Sequence, residues 1–320
     1  MRNPPYVRLH SHPESPHLDM FIALLPLAIF SAVYYGWRPV IVIWCGVLGA
    51  VISELVCCLA MRRRPTLTDG SALYIGAAIG ALMSPTTSYW VPAIGAAFAI
   101  VVVKMPFGGN GRYLFQPAAA GMALISQCLA GTVFTYPDTA LTTLPLDARV
   151  SVLTESSLAS LLRTGGVPTA RISELLLGTV AGPIGATAVT ILIGCMIYLI
   201  IRRAISAWTV VPYLATCAVL ALFFPRVSTP WYLSVLLELC SGYLLFAGIF
   251  LLCDPVTSPR HPLGRVCFGV LAGVLVMLLR YFGRFEDGAA FAVLLLSPIS
   301  PLIDRASWHV VERFRKGAST

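Results

Sequence analysis

The sequence predicts an all-α polytopic membrane protein of about ten transmembrane helices, arranged as two five-helix halves of inverted topology. Three observations lead there. Of 320 residues, 58% are hydrophobic and only 11% charged, whereas about a quarter of the residues of an ordinary soluble domain carry charge; the mean hydropathy is +0.83. The apolar residues form long runs instead of the short alternating segments of a membrane barrel, and a spanning helix needs roughly 20 of them. Pro, Gly and charge then divide these runs into ten.

In order, the runs lie near 18–35, 40–60, 71–84, 90–105, 117–131, 183–201, 207–224, 231–252, 264–282 and 288–303. The third and fifth are shorter than a full crossing, and Pro85, Pro92, Pro117, Pro183, Pro298 and Pro301 interrupt or flank helices. Broken helices are tolerated at membrane depth only where protein or a water-filled cavity surrounds them. The first run follows a proline-rich tail without a small-residue cleavage site, so it is expected to be a retained span. Five spans per half would turn the second half upside down relative to the first. The chain is therefore expected to form one membrane domain over 1–320. Within it, 1–131 is the first five-helix half, 132–182 an outer-face polar segment with re-entry, 183–304 the second half and 305–320 a cytoplasmic tail.

Lys and Arg set the orientation. With the N-terminus inside, 15 of the 22 Lys and Arg residues fall on the inner face, among them Arg62, Arg63, Arg64, Arg202 and Arg203, against 7 outside. Both termini are thus expected in the cytoplasm. The net charge of +8 comes from short clusters at the ends of apolar runs. Orientation signals and anionic lipid headgroups account for it, and no nucleic-acid partner is expected.

The nine cysteines lie mostly inside apolar runs with no C-x-x-C spacing, the pattern of buried small hydrophobes and not of metal or iron–sulfur ligands. Nor do the residues suggest a Ser/His/Asp set or paired catalytic carboxylates. Ionisable residues at membrane depth are expensive and default to function. Glu54, in the second run, is the deepest: an ion-pathway group, or one half of a pair with another helix. Glu238 lies in the eighth run. Lys104, Arg280 and Asp19, near helix ends, are expected to snorkel or to sit at the interface. Asp69 or Ser71, in "TDGSA", would cap the short third helix, and "LLCDPVTSPRHPLGR" (251–265), with Asp254, reads as a rigid turn. Two glycine-rich stretches, "FGGNG" and "AGPIGA", follow no strand, so they suit close helix contacts and not a nucleotide loop.

Taken in order, "SPH" (15–17), "DGSA" (69–72), "FGGNGRYLFQPA" (107–118), "GPIGAT" (182–187), "RRAIS" (202–206), "CDPVTSP" (253–259) and "EDGAAFAVLLLSPISPLIDR" (286–305) resemble the RnfD/NqrB membrane family. That family is shared by the D component of the Rnf electron-transport complex and the B component of the sodium-pumping NADH:quinone reductase. The resemblance is closer to the Rnf branch. It implies a ten-helix fold of two inverted repeats, similar to ammonium and urea channels, in a complex of the bacterial inner membrane. Such complexes move electrons between ferredoxin and NAD and couple this to Na+ or H+ translocation. It further implies FMN joined through its phosphate to a threonine of a D-G-x-[ST]-G-A-T motif, attached by a separate flavin transferase, and allows noncovalent riboflavin. Other complex subunits and membrane lipids would be the partners, and the chain would not be a complete enzyme alone.

That motif would fall in "DARVSVLTESSLAS" (147–160), making Thr154 the acceptor and Ser151 the preceding hydroxyl. Val152 and Leu153 replace Gly and Ala there, Glu155 replaces Pro, and Asp147 stands one residue too far upstream; Gln116 likewise replaces the family's usual Asn in "FQPA". Bulk beside the acceptor restricts the backbone, and a carboxylate beside a phosphate costs on the order of 1 kcal/mol in water. Without a flavin, the same segment would be a loop whose "SLASLL" lies on the membrane surface. Two other readings then stand: a channel or transporter whose permeation route is shaped by Glu54, Asp69 and Asp254, or a flavin-less scaffold subunit.

Overall fold

A computed structural model describes residues 16–62, 69–137, 154–166, 168, 171–283 and 286–317. The chain is mostly helical, and four helices are long and apolar enough to cross a membrane: Pro16–Tyr35 (α1), Arg38–Ala60 (α2), Pro262–Phe282 (α13) and the stretch Ala289–Glu312, made of Ala289–Leu296 (α14), a 3-10 turn and Ser300–Gly317 (α15). A fifth candidate is bent by 65°: Trp231–Cys240 (α11) and Leu244–Phe246 (α12), the latter running on as a π-helical turn over Ala247–Leu251. Shorter apolar helices fill in the bundle: Ser71–Ala81 (α3), Trp90–Phe98 (α4) with a π turn over Ala99–Lys104, Val189–Ile201 (α9) and Ala207–Phe223 (α10). Pro117–Cys128 (α5) completes the apolar set, and Ala130–Val133 (α6), Leu158–Arg163 (α7) and Ile172–Leu177 (α8) are short.

The burial pattern is that of a protein dissolved in lipid. Ile29, Val33 and Leu59 of α1 and α2 are 64%, 81% and 81% exposed, whereas α3 is buried along almost its whole length. A helix that is apolar all round belongs in the middle of a bundle. Small residues let it in: a Cβ on Gly76 would come within 2.5 Å of the Gly46 carbonyl oxygen, so α2 and α3 touch backbone to backbone. The membrane-protein class is thus as expected.

Several elements differ from the expected spans. The run at 183–201 is helical only from Val189, because Gly182–Thr187 instead caps α3: Ile184 N–H donates to Met83 O at 3.0 Å and Gly185 N–H to Ala81 O at 2.6 Å. Those are carbonyls near the C-terminal end of α3, which a helix cannot satisfy internally. Gly185 has to be glycine here, since a Cβ would lie 2.8 Å from that of Ala81. The run at 231–252 breaks at Ser241–Gly242, where Gly242 has φ +61°. Segment 132–182 holds β1 (Tyr136–Pro137) and β2 (Thr154–Glu155), an antiparallel pair with Tyr136 opposite Glu155 and Pro137 opposite Thr154. The apolar face of "SLASLL" is turned into the protein: Leu158 and Leu162 of α7 are buried against Leu175, Val227 and Leu237.

Candidate functional site

The bundle has two polar ends. The near end, where α1 begins, carries the loops before α3, after the two π turns and before α10 and α13. The far end carries α6, β1, β2, α7 and the α13–α14 loop.

At the near end, the apolar runs holding Glu54 and Lys104 meet. Lys104 Nζ lies 2.8 Å from Glu54 Oε1 and donates to Ser71 Oγ at 2.8 Å, and both charged side chains are 0% exposed. Lys104 therefore does not snorkel. It is the last residue of the π turn, where the wider turn carries its side chain inward between α2 and α3. Nor does Ser71 cap α3. The N-cap is Gly70 at φ +66° without a side-chain bond, and the Ser71 hydroxyl is taken by Lys104. Asp69 stands half-buried in the turn before α3.

Asp254 is buried just beyond the second π turn and collects three donors. Tyr113 OH and His17 Nε2 each lie 3.2 Å from Oδ1, and Thr257 Oγ1 lies 3.4 Å from Oδ2. These bonds offset the cost of taking a carboxylate out of water. Tyr113 stays a donor, because burial and the Asp254 charge push its hydroxyl well above the usual range. His17 packs on Tyr74 at 5.8 Å between ring centres, and Tyr74 donates to Phe250 O at 2.6 Å, a carbonyl of the π turn. The cluster thus joins α1, α3, the loop before α5 and the chain after α12. Gln116 caps α5, its side-chain oxygen accepting from Ala119 N–H. Asp19 holds Arg202 at 3.0 Å at the same end.

At the far end, Thr154 lies on β2 and its main chain is tied to Pro137; Ser151 lies outside the described residues. Immediately after β2, Ser157 begins α7, its hydroxyl accepting from Ser160 N–H at 3.1 Å and bonding Glu286. Glu286 also bonds the Tyr136 hydroxyl, and burial, ahead of the neighbouring Asp287 charge, pushes its carboxyl up to about 7. Arg280 is buried too, not interfacial as expected: it donates to Glu238 O at 2.9 Å and Ser241 O at 2.8 Å, the carbonyls freed at the break after α11, and faces Asp287 at 3.6 Å. Glu238 takes a second cation, Arg226, at 2.5 Å.

The structure therefore separates Thr154, at the far end, from Asp69 and Asp254 at the near end and from Glu54, whose partner Lys104 lies beside the start of α3. His17, Tyr113 and Glu286 escape sequence reasoning. The Glu54–Lys104 pair left a signal: two apolar runs, each with a single charge, of opposite sign. No group of three or more His, Cys, Asp or Glu able to hold a metal occurs among the described residues.

A model of the NQR2, RnfD, RnfE family matches residues 1–311. The chain belongs to that family. Among its relatives, the D component of the proton-translocating ferredoxin:NAD(+) oxidoreductase complex of Clostridium ljungdahlii is 29% identical over 308 residues, covering 94% of this chain and 92% of the relative. The D component of the ion-translocating oxidoreductase complex of Colwellia psychrerythraea is 31% identical over 333 residues, covering 92% and 93%. The D component of the Na(+)-translocating ferredoxin:NAD(+) oxidoreductase complex of Acetobacterium woodii is 28% identical over 303 residues, covering 94% and 91%. An NQR2/RnfD/RnfE member is what the sequence resemblance implied, and His17, Tyr113, Asp254 and Thr257 lie in the very segments that carried it.

Proposed function

We propose that this chain is the flavin-carrying membrane subunit of an Rnf-type complex that couples electron transfer between ferredoxin and NAD to translocation of Na+ or H+. The observation that carries the reading is the family match over nearly the whole chain, together with relatives of similar length named as the D component of such complexes. In this reading the chain crosses the bacterial inner membrane ten times as two inverted five-helix repeats, with both termini cytoplasmic and other complex subunits around it. Packing of α1 on α9 and of α5 on α14 is what an axis between the repeats would produce.

FMN is the proposed cofactor, held at Thr154 through its phosphate after the action of a flavin transferase, with riboflavin as a second, noncovalent flavin. Two features support this reading: Thr154 lies on a strand whose main chain is anchored, and at the same end the positive charge of Arg163 acts on Glu286. Bound there, FMN would supply one- and two-electron transfer. The chain's own part is positional: β1 holds β2, and Glu286 braces Tyr136 before the segment and Ser157 after it. At the near end, Asp254, Asp69 and Glu54 are the proposed ion-pathway groups, with Lys104 neutralising Glu54.

Co-expression with a flavin transferase, followed by a denaturing gel read by flavin fluorescence, tests the assignment. A fluorescent band that disappears in Thr154→Val is expected; a dark band in both forms would remove covalent FMN. The second reading, a transporter or scaffold on the same helices without a flavin, is favoured by Val152, Leu153 and Glu155 around the acceptor, and the dark outcome would leave it standing.

A further inference from the structure

A cavity of about 470 Å³ opens at the near end between the C-terminal end of α9, the start of α10 and the loop before α13. Arg203, Arg260 and Arg265 line it, with no Asp or Glu among its lining residues. Their positions differ in a way that suits a bound anion. Arg265 is fixed, its Nε donating to Pro259 O at 3.0 Å and one terminal nitrogen to Ser206 Oγ at 3.2 Å. Among the described residues, Arg203 and Arg260 have no acidic side-chain partner, although acids are close. Asp19 is spent on the neighbouring Arg202, and Asp304 accepts from the backbone N–H groups of Arg260 and His261 at 2.9 and 3.0 Å.

The start of α10 contributes as well. Ser206 is its N-cap residue but makes no side-chain cap, because its hydroxyl serves Arg265. Ala207 and Trp208, the first residues of this 17-residue helix, line the cavity, and their end of the helix carries the positive end of its dipole. Part of the wall is apolar: Ile200 and Trp208 line the cavity, and Trp208 and the neighbouring Ile201 are largely exposed. An exposed Trp next to exposed aliphatic side chains marks the level where hydrocarbon gives way to headgroups.

We propose that this cavity binds the phosphate of an anionic lipid headgroup, Arg203 and Arg260 supplying charge, Arg265 and the start of α10 fixing orientation, and Ile200 and Trp208 meeting the acyl chains. A free phosphate ion would satisfy the arginines but would leave that apolar wall unused. A lipid satisfies both.

The test is native mass spectrometry of the full chain released from nanodiscs of phosphatidylglycerol or phosphatidylcholine. The wild type is expected to retain phosphatidylglycerol, and Arg203→Gln/Arg260→Gln to lose at least fivefold of it. Arg203→Lys/Arg260→Lys is expected to keep most of it, and no variant should change phosphatidylcholine retention. Equal retention of phosphatidylglycerol by the Gln and wild-type chains overturns the proposal. So does its displacement by low-millimolar inorganic phosphate, which would make the free ion the ligand. Should the double Gln variant unfold, Arg260→Gln alone carries the comparison, with a smaller loss expected and no loss again overturning the site.

Discussion

Glu286 and Ser157 are joined side chain to side chain across 129 residues of chain. Because Ser157 Oγ already accepts from Ser160 N–H, its proton points at the carboxyl, and the Tyr136 hydroxyl bonds the same group. One acid on the loop before α14 thus grips both sides of the segment that carries Thr154. Its carboxyl is pushed up to about 7, so the folded protein holds this proton more tightly than the unfolded chain does. The stability it contributes is full below the ordinary carboxylate range and is lost as pH rises through 7. Glu286→Gln, which cannot titrate, should flatten that part of the profile. Thermal unfolding of the detergent-solubilised chain at pH 5 and pH 8 reads it, and parallel profiles for the two proteins would refute it.

The Glu54–Lys104 pair gives a second prediction. Breaking a buried pair leaves an uncompensated charge, at about 3–5 kcal/mol, whereas removing both members is often close to neutral. Glu54→Gln and Lys104→Met should each destabilise strongly, and the double variant should recover most of the loss in chemical denaturation. Additive losses would mean that the two charges are not coupled.

Close approach of α2 and α3 predicts that Gly76→Ala is costly. The new methyl would meet the Gly46 carbonyl oxygen at 2.5 Å and Val47 Cα at 2.6 Å, backbone atoms that cannot step aside, and overpacking of this kind costs about 1–3 kcal/mol or more. Gly194→Ala, where a Cβ meets nothing within 4 Å, should be neutral or slightly stabilising. A comparison of the two melting temperatures checks the pair.

Tyr113→Phe should cost about 1.5–3 kcal/mol, because it removes a donor from a buried carboxylate. Tyr281→Phe is the control: among the described residues the buried Tyr281 hydroxyl has no hydrogen-bond partner, so its loss should be near neutral. Equal effects in denaturant titrations would show that the Tyr113 hydroxyl gives Asp254 no net support.

Much of this architecture was legible in the sequence, since composition alone dictates a helical membrane bundle and Pro and Gly mark its breaks. The start of α9 was not. "GPIGAT" is as apolar as a helix, and the neighbouring carbonyls of Ala81 and Met83 explain why it forms a turn against the end of α3 instead. The charged residues follow the same rule. Lys104 and Arg280 stand near run ends, where snorkelling is the default, and what draws them inward is a carboxylate or a freed carbonyl supplied by a distant part of the chain. Glu54, Asp69, Asp254 and Thr154 could be singled out one at a time; their placement at opposite ends of the bundle is a property of the fold alone.

The short β1–β2 pairing carries a consequence for how a redox group at Thr154 would have to operate. A residue whose main chain is fastened to Pro137, and whose chain is pinned again three residues later by Ser157, cannot sweep its cargo from one partner to another as a long flexible arm does. A cofactor there would be a stationary relay: electrons would arrive and leave only when donor and acceptor proteins are themselves brought up to it, so turnover would be timed by movements of the neighbours and not by this chain.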